Sequence, residues 1–159
     1  MNKILKKGFT LIEILMVIVI ISILVAIALP KYIDTVDIAL GKRAYDSMQT
    51  IYTAQMRFYL ENNHTFTNNF NTLDVRFPSA TLSGTDTMDF GKFTIKLSGP
   101  SNNLIQTSGL ENYYLTFDVQ NETKQCIVDS NANATKGARV CAAMGGKINT
   151  NDNTIFDLR

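Results

Sequence analysis

The first hydrophobic pattern in the chain is an unbroken apolar run over residues 9–29. As a helix, this run would measure roughly 30 Å, which is the thickness of the hydrocarbon core of a bilayer. It is apolar on every side, with Ser22 as a mild polar interruption, so it needs lipid or other apolar helices around it. Glu13 is the one charged side chain in the run. The pattern predicts a membrane-spanning helix that carries a single carboxylate.

Three lysines precede the run and predict its orientation. By the positive-inside rule, Lys3, Lys6 and Lys7 hold the amino terminus in the cytoplasm, so the remainder of the chain is expected to be exported. A secretory signal has a shorter apolar core followed by a small-residue cleavage site, and nothing of that kind follows Leu29. The small residue is Gly8, before the run. Cleavage there would remove a charged leader and keep the apolar helix.

A one-sided hydrophobic pattern continues over residues 30–62. The residues of one face recur at three- and four-residue steps, and most charged side chains fall elsewhere. That face consists of Ile33, Val36, Leu40, Ala44, Met48, Ile51, Gln55, Phe58 and Tyr59. Pro30 lacks an amide hydrogen and is expected to kink the helix, with a helix stop as the alternative. We expect one helix from about Phe9 to Asn62, whose second half packs on a sheet.

Residues 63–159 are expected to form a small globular head. Its polar first part, up to residue 89, is predicted to be a connecting loop with a short turn or helix. Three alternating segments follow, and each places its apolar side chains on one face. They are KFTIKLS (residues 92–98), YLTFDVQ (114–120) and QCIVD (125–129). An antiparallel meander with a further strand at residues 154–158, laid on the second half of the helix, gives an α+β fold.

Charge and cysteine content bear on the partners and on the compartment. The chain has 15 basic and 14 acidic residues, and no basic stripe outside the first eight residues, so no direct nucleic-acid site is evident. Cys126 and Cys141 lie in the exported part, where an oxidising compartment would let them pair. By the loop-entropy estimate, such a bridge stabilises the head by about 3 kcal/mol. Two free thiols are the alternative.

Motifs typical of enzymes and cofactor sites are absent from the sequence. His64 is the only histidine, and it stands in an Asn/Thr-rich stretch without a local cysteine or acidic cluster. There is no Gly-rich phosphate loop, nucleophile elbow or zinc-ligand spacing. We therefore expect no catalytic residues, no cofactor and no metal.

Two weak patterns remain. Asp129, Asn131 and Asn133 have the D-x-N-x-N spacing of a calcium loop. However, Ala134 stands where such a loop has its turn glycine, and Val140 stands where it has its bidentate glutamate. A polar solvated loop is therefore the favoured interpretation. Asparagine glycosylation sequons are also present. They begin at Asn63, Asn121 and Asn133.

The stretch KKGFTLIEILMVIVIISILVAIALPKY closely resembles the amino-terminal signature of type IV prepilins and the related pseudopilins. The resemblance covers the first third of the chain. Its specific positions are Lys7, Gly8, Phe9, Thr10, Leu11, Glu13 and Pro30. In that family a dedicated membrane peptidase cuts after the glycine and methylates the new amino terminus. The resemblance therefore implies a leader of residues 1–8, a cut between Gly8 and Phe9, and N-methylation of Phe9. The family also commonly pins its carboxyl-terminal loop with a disulfide, here Cys126 with Cys141.

The resemblance also gives Glu13 a role. An unpaired charge within a membrane costs at least a few kcal/mol, so this carboxylate needs a cation. The new α-amino group of Phe9 is poorly aimed within one helix, whereas a neighbouring subunit shifted along the axis would present its amine directly. We hypothesise that Glu13 of one subunit neutralises the Phe9 amine of a neighbour, and the family implies the same role. Capping of its own helix end is the alternative.

The implied function is structural. Such a subunit is first anchored in the inner membrane with its amino terminus in the cytoplasm. It then joins a helical homo-oligomer, which is an extracellular pilus used for adhesion, twitching motility or DNA uptake. Expected partners are the prepilin peptidase and methyltransferase and an inner-membrane assembly platform. A pseudopilin of a type II secretion system is the alternative, although the chain lacks the tryptophan typical of major pseudopilins. A membrane-anchored periplasmic binding module that never polymerises is less favoured, because Gly8 and Glu13 would have no purpose there.

Overall fold

The computed structural model describes residues 9–98, 101, 103–130, 134–150 and 152–158. A long amino-terminal helix and an antiparallel sheet confirm the predicted α+β class. The elements are α1 (Leu11–Glu61), a 3-10 helix (Phe70–Thr72), β1 (Thr81–Ser83), β2 (Thr87–Asp89), β3 (Thr94–Ser98), β4 (Leu104–Ser108), β5 (Tyr113–Asp118), β6 (Thr123–Val128), α2 (Ala134–Ala143), β7 (Lys147–Ile148) and β8 (Ile155–Asp157).

Helix α1 has nearly the expected bounds and passes through Pro30. The helix stop considered at this proline is therefore wrong, while the kink stays a prediction. The chain divides into two compact units, and the boundary lies between Val36 and Asp37. The apolar run belongs to the first unit. The rest of α1 belongs to the second unit together with the sheet.

In the second unit α1 packs on the sheet through part of its predicted inner face and through Ala54, which was not predicted to belong to that face. Ile33 and Val36, which were predicted to belong to it, are nearly half exposed. Ala44, Met48, Ile51 and Ala54 are at most 2% exposed, and their three- and four-residue spacing places them on one side of the helix. They share a core with the inward-facing residues of β3, β4 and β5. These are Ile95, Leu97, Ile105, Leu115 and Phe117. Tyr45 meets the Phe117 ring edge-on, with the ring centroids 5.4 Å apart.

Gln55 is the polar member of that buried face, and it fixes the chain that leaves the helix. Its Nε2 donates to the carbonyl oxygen of Thr67 at 2.6 Å, and the Thr67 amide donates to its Oε1 at 3.3 Å. A fully buried amide side chain needs such partners, because an unpaired polar group in the core is costly. The side chain therefore holds the connection after α1 against the core.

The sheet has the strand order β1-β2-β3-β4-β5-β6-β8-β7, and every neighbouring pair is antiparallel. The three alternating segments of the sequence correspond to β3, β5 and β6, and the expected last strand to β8. The stretch expected to be a connecting loop contains the short strands β1 and β2. β4 was missed because Thr107 occupies a core position, where its hydroxyl accepts the Leu115 amide hydrogen at 2.7 Å. β7 has only two residues, too few for a pattern.

The structure confirms the predicted disulfide. Cys126 of β6 and Cys141 of α2 are bonded, with 5.7 Å between their Cα atoms, and both are fully buried. The bridged segment contains most of α2, a helix that the sequence did not predict. Val140, at the place of the calcium loop's glutamate, is buried in this helix, while Asn131 and Asn133 lie outside the described residues. The bridge thus ties a helix to the sheet.

Gly137 explains both why α2 was missed and how it packs. A glycine inside a helix normally lowers helix stability, so the sequence does not predict a helix here. In the structure, a Cβ at this position would lie 2.5 Å from the carbonyl oxygen of Asn112 and 2.9 Å from Cγ1 of Val128. The missing side chain is what lets α2 lie directly against the sheet.

A polar cluster joins the second unit's part of α1 to α2 and β5. The Lys136 amine lies 2.6 Å from the Asp37 carboxylate and 3.6 Å from that of Glu111. The Tyr113 hydroxyl donates to the Asp37 carbonyl oxygen at 3.4 Å. The hydrogen bond to Asp37 raises the pKa of Lys136, and burial followed by the Asp37 charge raises the pKa of Tyr113. A Cβ on Gly41 would lie 2.7 Å from the Tyr113 hydroxyl, so the elements meet closely here.

We expect Gly137→Ala to destabilise the head, although alanine normally favours a helix by about 1 kcal/mol over glycine. The new methyl group would meet a backbone oxygen that cannot rotate away. The expected loss is about 1–3 kcal/mol in the free energy of unfolding, as for other overpacked cores. Urea unfolding of the detergent-solubilised chain, followed by circular dichroism, measures it. Thr135→Ala, at an exposed position of the same helix, is the matched control and should change little. A Gly137→Ala chain as stable as the wild type would contradict the close approach.

We also expect the stability to fall as the pH rises above about 10. In the unfolded chain Tyr113 loses its proton near the ordinary pKa of 10.0, whereas the folded chain keeps it to higher pH. Above this pH the folded state binds more protons than the unfolded state, so stability declines by up to about 1.4 kcal/mol per pH unit for this group. The raised pKa of Lys136 acts in the same direction.

Tyr113→Phe removes the first contribution and should make the alkaline decline shallower. Urea unfolding at several pH values from about 8 to 11 measures the slope. Tyr114→Phe is the control, because this neighbouring ring is 38% exposed. Equal slopes for the two variants would show that Tyr113 does not carry the effect.

Candidate functional site

The candidate site is the first turn of α1 together with the apolar residues that follow. Thr10 caps this turn: the Glu13 amide donates to Thr10 Oγ1 at 3.3 Å and to the Thr10 carbonyl oxygen at 3.2 Å. A threonine followed three residues later by a glutamate is the sequence of a capping box. Thr10 was named from the sequence only as a position of the resemblance, although the segment TLIE already has the capping-box pattern. The Thr10 side chain thus gives the Glu13 amide a second acceptor beside the Thr10 carbonyl oxygen.

Glu13 is left with an unneutralised carboxylate. Within the described part of the chain, the structure gives this carboxylate no hydrogen bond and no ion pair. The positive end of the helix dipole favours a negative charge here, typically by less than 1 kcal/mol. That is less than the few kcal/mol that an ionised group costs at membrane depth. Capping of its own helix is therefore not enough to account for the residue.

The apolar run exposes its whole surface. Every large apolar side chain from Phe9 to Leu29 is at least 45% exposed. In the described residues α1 is one helix that is long and apolar enough to cross a membrane. Ser22 does not interrupt this character, because its hydroxyl donates to the Ile18 carbonyl oxygen at 2.6 Å and so is satisfied within the helix. The surface needs an apolar environment on all sides.

The structure places only some of the predicted site residues together. Glu13 lies in the first turn of α1 and Phe9 two residues before the helix begins. Pro30 lies within α1, and the disulfide lies in the head. Gly8 and the rest of the leader lie outside the described residues. Gly8 nevertheless bears on the charge near Glu13. In the uncut chain the Phe9 nitrogen is part of the peptide bond to Gly8 and is neutral, and only cleavage of that bond turns it into a charged amine.

Comparison with known proteins agrees with these features. Residues 5–29 match the family described as "Prokaryotic N-terminal methylation motif". The type IV major pilin protein PilA of Myxococcus xanthus is 41% identical over 56 residues, which are 35% of this chain and 26% of the relative. The type IV narrow pilus major component PilA5 of Thermus thermophilus is 68% identical over 31 residues, which are 20% of this chain and 27% of the relative.

The chain thus spans about a quarter of the length of each of these two relatives. No solved structure matches the chain. The methylation motif and the apolar helix fit a precursor that is anchored in the inner membrane. The amino-terminal segment is thus similar to that of the two type IV pilus components, and it lies at the start of an α+β fold with a long first helix.

Proposed function

We propose that the chain is a structural subunit of a type IV pilus, built into an extracellular filament through residues 9–29. The main support is the Glu13 carboxylate. It lies on a helix segment that is apolar on all sides, and it has no neutralising partner among the described residues. The two relatives named above are pilus components, which supports the same conclusion.

Processing is the first step of the proposal. A membrane peptidase cuts between Gly8 and Phe9, which removes three lysines and creates a new α-amino group. The same enzyme methylates this amine. A secondary amine stays protonated at neutral pH, so Phe9 carries the positive charge that Glu13 lacks. Processing therefore converts a chain with one intramembrane charge into one with a charge of each sign.

Assembly then pairs these charges between subunits. Glu13 of an incoming subunit faces the Phe9 amine of a neighbour shifted along the filament axis. In a low-dielectric surrounding such a pair is much stronger than in water, and only an aligned subunit makes it. The pair therefore favours one axial register and disfavours the lone subunit in lipid. An inner-membrane assembly platform lifts each subunit into this arrangement.

The apolar side chains support the transfer. In the bilayer they contact lipid, and in the filament they contact the same segment of neighbouring copies, so they stay out of water throughout. The burial is worth roughly 25 cal/mol per Å² relative to water. Small residues such as Ala26 and Ala28 give the neighbouring helices room to approach. The disulfide-bridged head belongs on the outer, oxidising side, where the filament serves adhesion, twitching motility or DNA uptake.

A type II secretion pseudopilin would share this processing and this helix. We prefer the pilin because both relatives are named as major pilus components. The two functions differ in where the polymer is found, since a pilus extends from the cell surface and a pseudopilus stays in the periplasm.

The intact mass of the subunit in sheared surface fibres tests the processing. The subunit should begin at Phe9 and carry one added methyl group, which fragmentation of the amino-terminal peptide should place on Phe9. A Gly8→Ala precursor should keep its leader and stay in the membrane, because the peptidase requires the small residue before the cut. Fibres whose subunits still contain residues 1–8 would contradict the proposal. A methylated subunit found only in the periplasm would point to the pseudopilin.

Glu13→Ala tests the charge pair. The variant should be cut at Gly8 and remain in the membrane, with the yield of surface fibres at least about tenfold lower, since losing about 1.4 kcal/mol or more from assembly has this effect. Glu13→Gln keeps the side-chain size and should fail equally if the charge is what matters.

Glu61→Ala is the matched control, because this glutamate is exposed at the other end of α1. Fibre yield is quantified by immunoblot of the sheared fraction against the membrane fraction. If Glu13→Ala subunits are cut and still give the wild-type fibre yield, the pairing mechanism is wrong. The assignment as a pilus subunit would then still depend on the mass measurement described above.

A further inference from the structure

The connection after α1 contains an exposed glycosylation sequon, Asn63-His64-Thr65. α1 ends at Glu61, and two of the turn residues that follow adopt left-handed backbone angles, with φ of 50° at Asn63 and 59° at His64. Asparagine accepts such angles more readily than most residues. The sequon therefore occupies a surface turn, where an enzyme can reach it.

The side chains of this turn differ in their availability. The Asn62 carboxamide donates to the Phe58 carbonyl oxygen at 2.9 Å, so Asn62 caps the end of the helix. The Thr65 hydroxyl donates to the Asn62 carbonyl oxygen at 2.6 Å. Asn63 itself is exposed, and its carboxamide has no hydrogen-bond partner within the described part of the chain. The acceptor nitrogen of this sequon is free.

The second sequon, Asn121-Glu122-Thr123, is held in place. The Asn121 carboxamide donates to Asp118 Oδ2 at 2.7 Å, and its backbone amide donates to Oδ1 at 3.0 Å. Thr123 pairs with Asp118 in the β5–β6 ladder, so this sequon is part of a tight hairpin. Using Asn121 as an acceptor would break these bonds. Asn133, which begins the third sequon, lies outside the described residues.

A cavity of about 340 Å³ adjoins the Asn63 turn. It is lined by Tyr59, His64, Thr65, Phe66, Ser101 and Gln120. The Tyr59 and Phe66 rings are stacked with centroids 4.5 Å apart, and His64 meets Tyr59 edge-on at 5.0 Å. The parts of these rings that line the cavity offer apolar contact to the C–H groups of a sugar ring, and the neighbouring hydroxyl and amide groups can bond to its hydroxyls. The cavity volume is at the lower end of ligand pockets, which run from about 300 to 1,000 Å³.

We propose that Asn63 is an N-glycosylation site of the exported subunit and that the first sugar packs against the Tyr59–Phe66 surface. The inference rests on the proposed export of the head, because the donor is a lipid-linked sugar pyrophosphate on the outer side of the membrane.

The chemical step is a glycosyl transfer. The Asn63 carboxamide nitrogen forms a bond to the anomeric carbon of the donor sugar, and the bond between that carbon and the phosphate oxygen breaks. The lipid pyrophosphate leaves with the electron pair, and the amide gives one proton to a base of the transferase. No oxidant or reductant is required.

Intact mass and peptide mapping of the subunit from native fibres or membranes test the site. The wild type should carry one oligosaccharide on the peptide that contains Asn63. Asn63→Gln should lose the added mass completely, and Asn121→Gln, the matched control, should retain it. Thr65→Ala should lose it, while Thr65→Ser should retain it, because a hydroxyl at the third sequon position is needed. Comparison of the Thr65→Ala and Thr65→Ser variants shows whether the transferase recognises the sequon or whether Thr65 only stabilises the turn.

A wild-type subunit without added mass on Asn63 would overturn the inference, and so would added mass that persists in Asn63→Gln. The same spectrum reports the leader and the methyl group separately. A subunit that starts at methylated Phe9 without a glycan defeats only this inference. A glycosylated subunit that keeps residues 1–8 defeats the proposed processing instead.

Discussion

The cost of an ionised carboxylate in an apolar environment is the constraint on which the rest of this molecule depends. Glu13 stands in the first turn of a helix whose large apolar side chains, from Phe9 to Leu29, are all at least 45% exposed. Thr10 already caps the helix, so the carboxylate is not required for that purpose. Its remaining requirement is a cation, and in the described part of the chain the structure provides none. The proposed cleavage before Phe9 would create one, and the matched motif is described as one of amino-terminal methylation.

The two units of the chain require different surroundings. The first unit is apolar on all sides and has no interior of its own, so it is stabilised by whatever apolar material surrounds it. The second unit has a core that holds helix residues such as Met48 against the sheet, with a disulfide that ties α2 to β6. The fully buried Gln55 side chain is paired locally, with the backbone of Thr67. The second unit can therefore keep its fold whether the first is surrounded by lipid or by other copies.

Sequence patterns predicted the elements whose side chains alternate or recur regularly. The inner face of α1 and the strands β3, β5 and β6 were predicted because burial selects apolar residues at fixed spacing. β4 and α2 were not predicted, because each breaks its pattern for a tertiary reason. Thr107 is a polar residue in the core that serves the Leu115 amide, and Gly137 is a helix-weakening residue that makes room for the Asn112 carbonyl. At the candidate site, Glu13 and Phe9 were predicted, and the capping role of Thr10 was overlooked.

By itself, the sequence determined the apolar helix, its single carboxylate, the position of the small residue before it, and the α+β class of the fold. These features depend only on the types of residue and on their spacing along the chain, and both can be read directly from the sequence. Tertiary structure alone decided that Cys126 and Cys141 meet, that Lys136 reaches Asp37, and that Asn63 is free while Asn121 is bound to Asp118. Each of these depends on the distance between atoms brought together by folding, and the same residue pattern is compatible with several such distances.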